Sequence, residues 1–124
     1  MLSTIPDHIR KDPALTNRLR VMIENLKLAF SPEKIVLFGS YARGDFREGS
    51  TLDIFIIADT DARFVERIRS AIEVTGGAPP VEPIVYTPEE FQLMKDQGEG
   101  FIESAINEGI ILYAKKNGVE QGSL

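Results

Sequence analysis

The chain has 124 residues, of which 43% are hydrophobic and 27% charged, and these proportions are typical of one globular domain. It has no cysteine, so disulfides, thiolate metal sites and thiol nucleophiles are excluded. Its single histidine, His8, lies in an N-terminal stretch with two prolines, which argues against a histidine-based triad or a multi-histidine zinc site. A formal net charge of -5 argues against a general nucleic-acid-binding surface.

Membrane association and metal chemistry are also constrained by the composition. No apolar run approaches the roughly 20 residues that span a bilayer, and the N-terminus lacks the apolar stretch of a secretory signal. A cytoplasmic protein is therefore the simplest interpretation. Because histidine clusters and cysteine are missing, any metal site must use oxygen ligands, which favours Mg2+ or Mn2+.

The first element predicted along the chain is an amphipathic helix. Residues 1–13 are expected to be a poorly ordered N-terminal lead-in, since they contain two prolines and no clear periodicity. Apolar side chains then recur at spacings of three and four over residues 14–30. Asp12 and Pro13 are a plausible cap and first-turn proline for this helix.

Three apolar segments predict the strands of a sheet. Residues 35–38 and 52–57 are apolar without alternation, which is typical of short strands buried on both faces. The third strand is predicted over 81–86. It contains Pro83, which cannot donate to a ladder, so this strand is expected at the sheet edge or at a bulge.

Helices are predicted between and after these strands. One is expected over 61–74, and another begins at Thr87-Pro88 and continues, with a break near Gly98, to Gly109. Residues 110–113 are predicted as a last short strand, and 115–124 as a flexible tail. The element order indicates an α/β domain over 14–114 with one sheet. The side chains predicted on the inner face of the 61–74 helix are Phe64, Val65, Ile68, Ala71 and Ile72. Phe64 and Phe101 are candidates for the core, and Glu89, Glu90 and the acids of the final helix are expected on a solvated face.

The segment from Gly39 to Asp53 carries the candidate chemistry. Gly39 directly after a buried strand lets the backbone turn sharply and approach a ligand. Ser40 would open a short helix whose free N–H groups suit phosphate, and Arg43 and Arg47 supply positive charge for further phosphate oxygens. A glycine-serine turn is also common without any ligand, and Arg43 could instead pair with an acid in the following loop, Asp45 or Glu48.

Acidic residues are expected to lie opposite this turn. Thr51 and Asp53 are two apart at the start of a strand, so both side chains project from one face. Glu82 begins the next strand. If the two strands are parallel neighbours, Asp53 and Glu82 meet beside the Gly39 turn. A phosphate site facing carboxylates is typical of magnesium-dependent phosphoryl or nucleotidyl transfer.

This pattern resembles the signature of the minimal nucleotidyltransferase (MNT) family of the DNA polymerase β superfamily. That signature is glycine-serine, ten residues, aspartate-x-aspartate, and a third acid on a following strand. Here the sequence has Gly39-Ser40, ten residues, Thr51-Leu52-Asp53, and then Glu82, and the words FGSYARGDFREGS, LDIFII, VEPIVYTPEEF and EGIILY are similar as well. The resemblance implies the nucleotidyltransferase fold, a mixed sheet with core strand order 1-2-3 and flanking helices.

The resemblance also implies an activity, a metal-dependent transfer of a nucleoside monophosphate from a nucleoside triphosphate, ATP above all, to a hydroxyl acceptor. Asp53 and Glu82 would be the catalytic residues and would bind Mg2+ or Mn2+, with Glu82 as a ligand or the general base. Nucleotide binding is assigned to Gly39, Ser40, Arg43 and Gly44.

Thr51 departs from the family pattern, which has its first aspartate at that position. A threonine hydroxyl is a neutral, weak metal ligand, so the site loses one negative charge beside the metal. Either another acid such as Asp45 or Glu48 compensates, or the domain is a weak or inactive catalyst. An engineered substitution at residue 51 is a further alternative.

Three hypotheses about function remain open. In the first, the chain is an enzyme that modifies a partner protein, as an antitoxin of a HEPN-type (helical, RNase-like) protein would. In the second, it is a catalytically inactive module of the same fold that binds such a partner. In the third, the Gly39 turn and Asp53 are coincidental parts of an unrelated α/β protein. A homodimer is also open, since a second copy could contribute to an acceptor site.

Overall fold

The chain forms a five-stranded sheet with helices on both faces. The computed structural model describes residues 5–98, 100–116 and 119–122. Among the helices in these ranges, not one combines the length and apolar character needed to cross a membrane. The helices are α1 Asp7–Arg10, α2 Pro13–Phe30, α3 Gly39–Arg43, α4 Phe64–Val74, α5 Pro88–Gln97 and α6 Gly100–Glu108, and the strands are β1 Lys34–Phe38, β2 Leu52–Ile57, β3 Val81–Tyr86, β4 Ile110–Lys116 and β5 Val119–Gly122.

The strand order of the sheet is β3-β2-β1-β4-β5. β2 lies between β1, which runs antiparallel to it, and β3, which runs parallel to it. β4 pairs antiparallel with the other side of β1. The predicted mixed sheet with core order 1-2-3 is therefore confirmed, and Pro83 lies on an edge strand, as its missing N–H donor requires.

The two faces of the sheet carry separate hydrophobic cores. On one face, Ile35 and Ile54 pack with the inner side chains of α2 and with Ala71 of α4. On the other face, Val36 and Phe55 pack with side chains of α5 and α6. Because both faces are covered, the central strands are apolar on both sides, which explains their lack of alternation.

The helix starts agree with the capping signals in the sequence. The Asp12 side chain accepts a hydrogen bond from Leu15 N at 3.1 Å, with Pro13 in the first turn of α2. Thr87 caps α5 in a reciprocal capping box with Glu90. Both predicted helix starts are confirmed, because each side-chain oxygen satisfies an N–H that has no partner within its own helix.

The predicted inner face of α4 was wrong for Phe64, Val65 and Ile72, whereas Ala71 is buried as predicted and Ile68 is half-buried. Phe64, Val65 and Ile72 are 41%, 65% and 52% exposed, whereas the buried side chains of α4 are Arg67 and Ala71. The same error made Phe64 a core candidate. Phe101, the second such candidate, is half-buried and packs against the core beneath α5 and α6.

Arg67 can be buried because its guanidinium donates three hydrogen bonds. Its Nη1 donates to Glu90 Oε1 at 2.7 Å and to the Val85 carbonyl at 3.3 Å, and its Nε donates to the Ala62 carbonyl at 2.7 Å. Glu90 was expected on a solvated face, but it pairs with Arg67 instead. Burial alone would raise the pKa of Glu90, yet the hydrogen bonds from Arg67 and Thr87 hold that pKa below its usual value.

Both ends of the chain differ from the expected lead-in and flexible tail. Ile9 of α1 is fully buried, and His8 Nε2 donates to the Tyr41 carbonyl at 2.7 Å. At the other end, β4 extends through Lys116 and β5 pairs antiparallel with it. Residues 1–4, 117–118 and 123–124 lie outside the described residues. The domain limits of 14–114 stay a prediction.

Candidate functional site

The turn after β1 lies directly against the Asp53 carboxylate. The antiparallel pairing of β1 with β2 makes Phe38 the register partner of Asp53, so Gly39 follows immediately beside it. Gly39 has a left-handed φ of 75°, and a Cβ added there would overlap Asp53 Oδ2 and lie 3.2 Å from Asp53 Cγ. Only glycine fits this position, because both the backbone conformation and the space exclude a side chain.

Asp53 and Glu82 lie side by side on β2 and β3. They are Cα register partners in the parallel pair, as the sequence predicted. Asp53 is half-buried and Glu82 is exposed. Both line an open cavity of about 360 Å³, together with Phe38, Pro83, Ile84 and Phe101. The two acids are therefore adjacent, next to the Gly39 turn and accessible to solvent.

Thr51 lies beside Asp53, on the same face of the sheet. Its Oγ1 donates a hydrogen bond to Asp53 Oδ1 at 2.7 Å. One oxygen of Asp53 is thus held by Thr51, while the other lies over Gly39. The Thr51 hydroxyl therefore orients the Asp53 carboxylate.

Ser40 and Gly44 define the short helix α3. Ser40, half-buried, lies in its first turn, and its carbonyl accepts from Gly44 N at 2.9 Å. Gly44 ends the helix with a φ of 92°. These two predicted nucleotide-binding residues thus lie near the start and just past the end of α3, and a Cβ on Gly44 would lie 3.3 Å from the His8 ring.

Arg43 is held by two carboxylates. Its Nε donates to Asp45 Oδ2 at 3.2 Å and its Nη1 donates to Glu108 Oε2 at 3.0 Å. The hydrogen bonds from Arg43 to Glu108 and then to Asp45 raise the pKa of the guanidinium above its ordinary value. The pairing with Asp45 agrees with the structural alternative considered for Arg43, and Glu108 is an additional partner.

Glu108 was missed because the acids of the last helix were expected to face solvent. Its side chain is only 23% exposed, and Oε1 accepts a hydrogen bond from Gly39 N at 3.1 Å. One signal could have indicated it. A carboxylate in the last turn of a helix is unfavourable with the helix dipole, so Glu108 just before Gly109 needs a cationic or N–H partner.

The named charged groups give the site a negative formal charge. Four carboxylates, Asp45, Asp53, Glu82 and Glu108, accompany the Arg43 guanidinium, which gives 1 - 4 = -3. Within residues 5–98, 100–116 and 119–122, no three acidic, histidine or cysteine side chains form a group that could hold a metal ion.

Comparison with known proteins points to one family. A family model described as a nucleotidyltransferase domain matches residues 19–112. A protein of Methanocaldococcus jannaschii named "Putative protein adenylyltransferase" is 37% identical over 81 residues, which cover 65% of this chain and 78% of that protein. The crystal structure of a "putative nucleotidyltransferase" from Sulfolobus solfataricus superposes with a TM-score of 0.55 at 20% identity, covering 86% of this chain and 92% of that chain, and supports the fold.

Proposed function

Because this chain belongs to the nucleotidyltransferase domain family, we propose that it transfers the nucleoside monophosphate of a nucleoside triphosphate, with ATP as the donor, to a hydroxyl acceptor. The observation that carries this proposal is the register pairing of Asp53 with Glu82 beside the Gly39 turn. A glycine turn beside two accessible acids suits a phosphate chain that must be bound and cleaved, because the backbone can approach the phosphate closely and the acids can hold a cation. A cytoplasmic location is part of the proposal.

The reaction requires one bond to form and one to break at the α-phosphorus. The acceptor oxygen bonds to the α-phosphorus, and the bond from that phosphorus to the bridging oxygen of the leaving pyrophosphate breaks. The acceptor proton passes to a carboxylate, for which Glu82 is suited because it is exposed on the edge strand. Gly39, Ser40, Arg43 and Gly44 would bind the phosphate oxygens.

The acidic residues suit a divalent cation such as Mg2+ or Mn2+. Mg2+ is commonly held by one or two carboxylates together with substrate phosphates and water, and Asp53 and Glu82 are such a pair. Asp53 and Glu82 would hold the ion, with Thr51 as a weak ligand. The ion would neutralise phosphate charge when bound. The formal charge of -3 on the named groups makes binding of a metal-free triphosphate electrostatically unfavourable.

We propose a protein side chain as the acceptor. The relative from Methanocaldococcus jannaschii carries the name of a protein adenylyltransferase, which supports this class of acceptor. The cavity beside Asp53 and Glu82 is open, so a side chain presented on another protein's surface could reach it. A HEPN-type partner, with this chain acting as an antitoxin, is the specific form of the proposal that the sequence resemblance supports.

A second candidate is a catalytically inactive module that binds the same kind of partner. The observation that favours it is the Thr51 hydrogen bond to Asp53, because it takes up one oxygen of the carboxylate that would bind metal. The exposed apolar side chains of α4, Phe64, Val65 and Ile72, would offer such a module a contact surface.

Calorimetry with ATP in the presence and absence of Mg2+ separates these two candidates. The enzyme is expected to bind ATP at micromolar concentration only with Mg2+, and Asp53→Ala should abolish this binding. Asp59→Ala is a matched control, because Asp59 is an exposed acid just past the other end of β2. A wild-type protein that gives no heat at millimolar ATP would support the inactive module. Transfer of label from the α-phosphate of ATP, and not from the γ-phosphate, identifies the reaction.

A further inference from the structure

We propose that Glu108 is a positioning residue for nucleotide binding, which holds the Gly39 turn and the Arg43 guanidinium in the arrangement that receives the phosphates. The inference rests on the proposed function and assigns a role to a residue outside the family signature. The Glu108 carboxylate would not contact the nucleotide itself. It acts through the Gly39 turn and the Arg43 guanidinium, which would contact it.

The Glu108 carboxylate accepts hydrogen bonds from both ends of α3. Glu108 Oε1 accepts from Gly39 N, the first residue of the helix, and Oε2 accepts from Arg43 Nη1, the last residue. Hydrogen bonds to a charged group are stronger than neutral ones. A five-residue helix has little stability of its own, so these two hydrogen bonds add to the packing of Tyr41 and Ala42 in holding it in place.

The backbone that carries Glu108 is itself held firmly. A Cβ on the next residue, Gly109, would overlap the Ala105 carbonyl oxygen and lie 2.9 Å from Val36 Cγ1. The end of α6 is therefore packed directly against β1. β4 then begins at Ile110, the register partner of Leu37. The backbone of Glu108 is thus fixed relative to β1, and the hydrogen bonds of its side chain hold α3 in place relative to the sheet.

The two groups held by Glu108 are the ones whose position matters most. Arg43 has a side chain that is 45% exposed, and a long exposed cation loses rotamer entropy when a ligand fixes it. Because Glu108 and Asp45 have already fixed it, less of that entropy is lost on binding. The guanidinium keeps further N–H donors for phosphate oxygens. Gly39 contacts Asp53, so a shift of the turn would also displace that carboxylate.

The test compares Glu108→Gln and Glu108→Ala with the wild type and with Glu103→Ala, an exposed acid on the same helix that serves as the control. Affinity for ATP with Mg2+ and steady-state kinetics are measured for each. We expect Glu108→Ala to weaken ATP binding about 10- to 100-fold, the range that supporting hydrogen-bond partners typically contribute. KM should rise more than kcat falls, and Glu108→Gln should retain part of the affinity, because its amide oxygen can still accept from Gly39 N.

A double mutant identifies the route of the effect. In an Arg43→Ala background, Glu108→Ala should cost less affinity than in the wild type, because one of the two groups it positions is gone. Thermal unfolding of every variant is followed in parallel. If Glu108→Ala does not fold, the ATP affinity of the near-isosteric Glu108→Gln is compared with that of the wild type instead.

The outcomes distinguish the inference from the proposed function. If the wild type binds no ATP with Mg2+, the proposed function and the role of Glu108 fail together. If the wild type binds and both Glu108 variants bind equally well, only the positioning role fails. Tighter binding by the variants would also overturn it, since Glu108 would then compete with phosphate for Gly39 and Arg43.

Discussion

Replacing Gly39 with alanine tests the close approach between the turn after β1 and the Asp53 carboxylate. The substitution adds a single methyl group, and it has two separable consequences. The backbone must keep a φ of 75° with a side chain present, and the methyl group must occupy space where Asp53 Oδ2 lies. Since that overlap cannot be tolerated, the Asp53 side chain has to rotate away.

The expected loss of stability follows from these contributions. A left-handed conformation costs a non-glycine residue about 1–2 kcal/mol. Rotation of Asp53 from its preferred rotamer adds about 1 kcal/mol, and loss of the 2.7 Å hydrogen bond from Thr51 adds about 1 kcal/mol more. The free energy of unfolding should therefore fall by about 3–4 kcal/mol. Because Asp53 is also a proposed metal ligand, affinity for ATP with Mg2+ should fall at least about 10-fold.

Gly49→Ala is the matched control. Gly49 has a similar φ of 88°, but a Cβ there would meet nothing within 4 Å, so only the backbone strain of about 1–2 kcal/mol applies. Urea unfolding of both variants measures the difference between their free energies of unfolding, and calorimetry measures their affinities for ATP with Mg2+. If Gly39→Ala loses no more stability than Gly49→Ala and still binds ATP, the turn and Asp53 are not in contact.

Two further predictions concern Thr51 and Glu90. Thr51→Asp places a second carboxylate beside Asp53, so the affinity for Mg2+ is expected to rise about 10-fold or more by calorimetric titration, and an unchanged affinity would mean that residue 51 lies outside the metal site. Glu90→Gln removes the charge that pairs with the buried Arg67, so the free energy of unfolding should fall by about 2 kcal/mol at neutral pH. Because the pKa of Glu90 is held below 4.5, its contribution is present above that pH and is lost as the pH falls through the folded-state pKa. The free energies of unfolding of the variant and the wild type, measured with urea, should therefore become equal at acidic pH. A difference that does not change with pH would contradict the role of the Glu90 charge.

Local patterns in the sequence predict the central part of the fold and the strand-borne part of the site. The apolar runs predict β1 and β2 as buried strands, and the proline in β3 favours an edge position or a bulge. The central position of β2 is what the family resemblance implies, and the observed strand order agrees with it. The two-residue spacing of Thr51 and Asp53 predicts that they share a face, because strand side chains alternate strictly. The parallel pairing that joins Asp53 to Glu82 follows from the family resemblance and is confirmed by the register.

Long-range partners could not be predicted in the same way. Glu108 lies 69 positions from Gly39, and no periodicity in α6 relates it to α3. Arg67 was not among the residues predicted on the inner face of α4, because a hydrophobicity pattern treats every arginine as polar. Its burial depends on three acceptors, of which Ala62 is near in sequence, whereas Val85 and Glu90 are brought to it only by the tertiary structure.

The contact between Glu108 and α3 also sets the order in which the site can be completed during synthesis. β1, β2 and β3 all precede α6, so a nascent chain carries Asp53, Glu82 and Gly39 well before Glu108 leaves the ribosome. Until α6 has been synthesised, Gly39 N and Arg43 lack the Glu108 carboxylate as a partner. A partly synthesised chain would therefore present both acids beside a turn that Glu108 does not yet hold. Tight nucleotide binding would then require that α6 has been added to the chain.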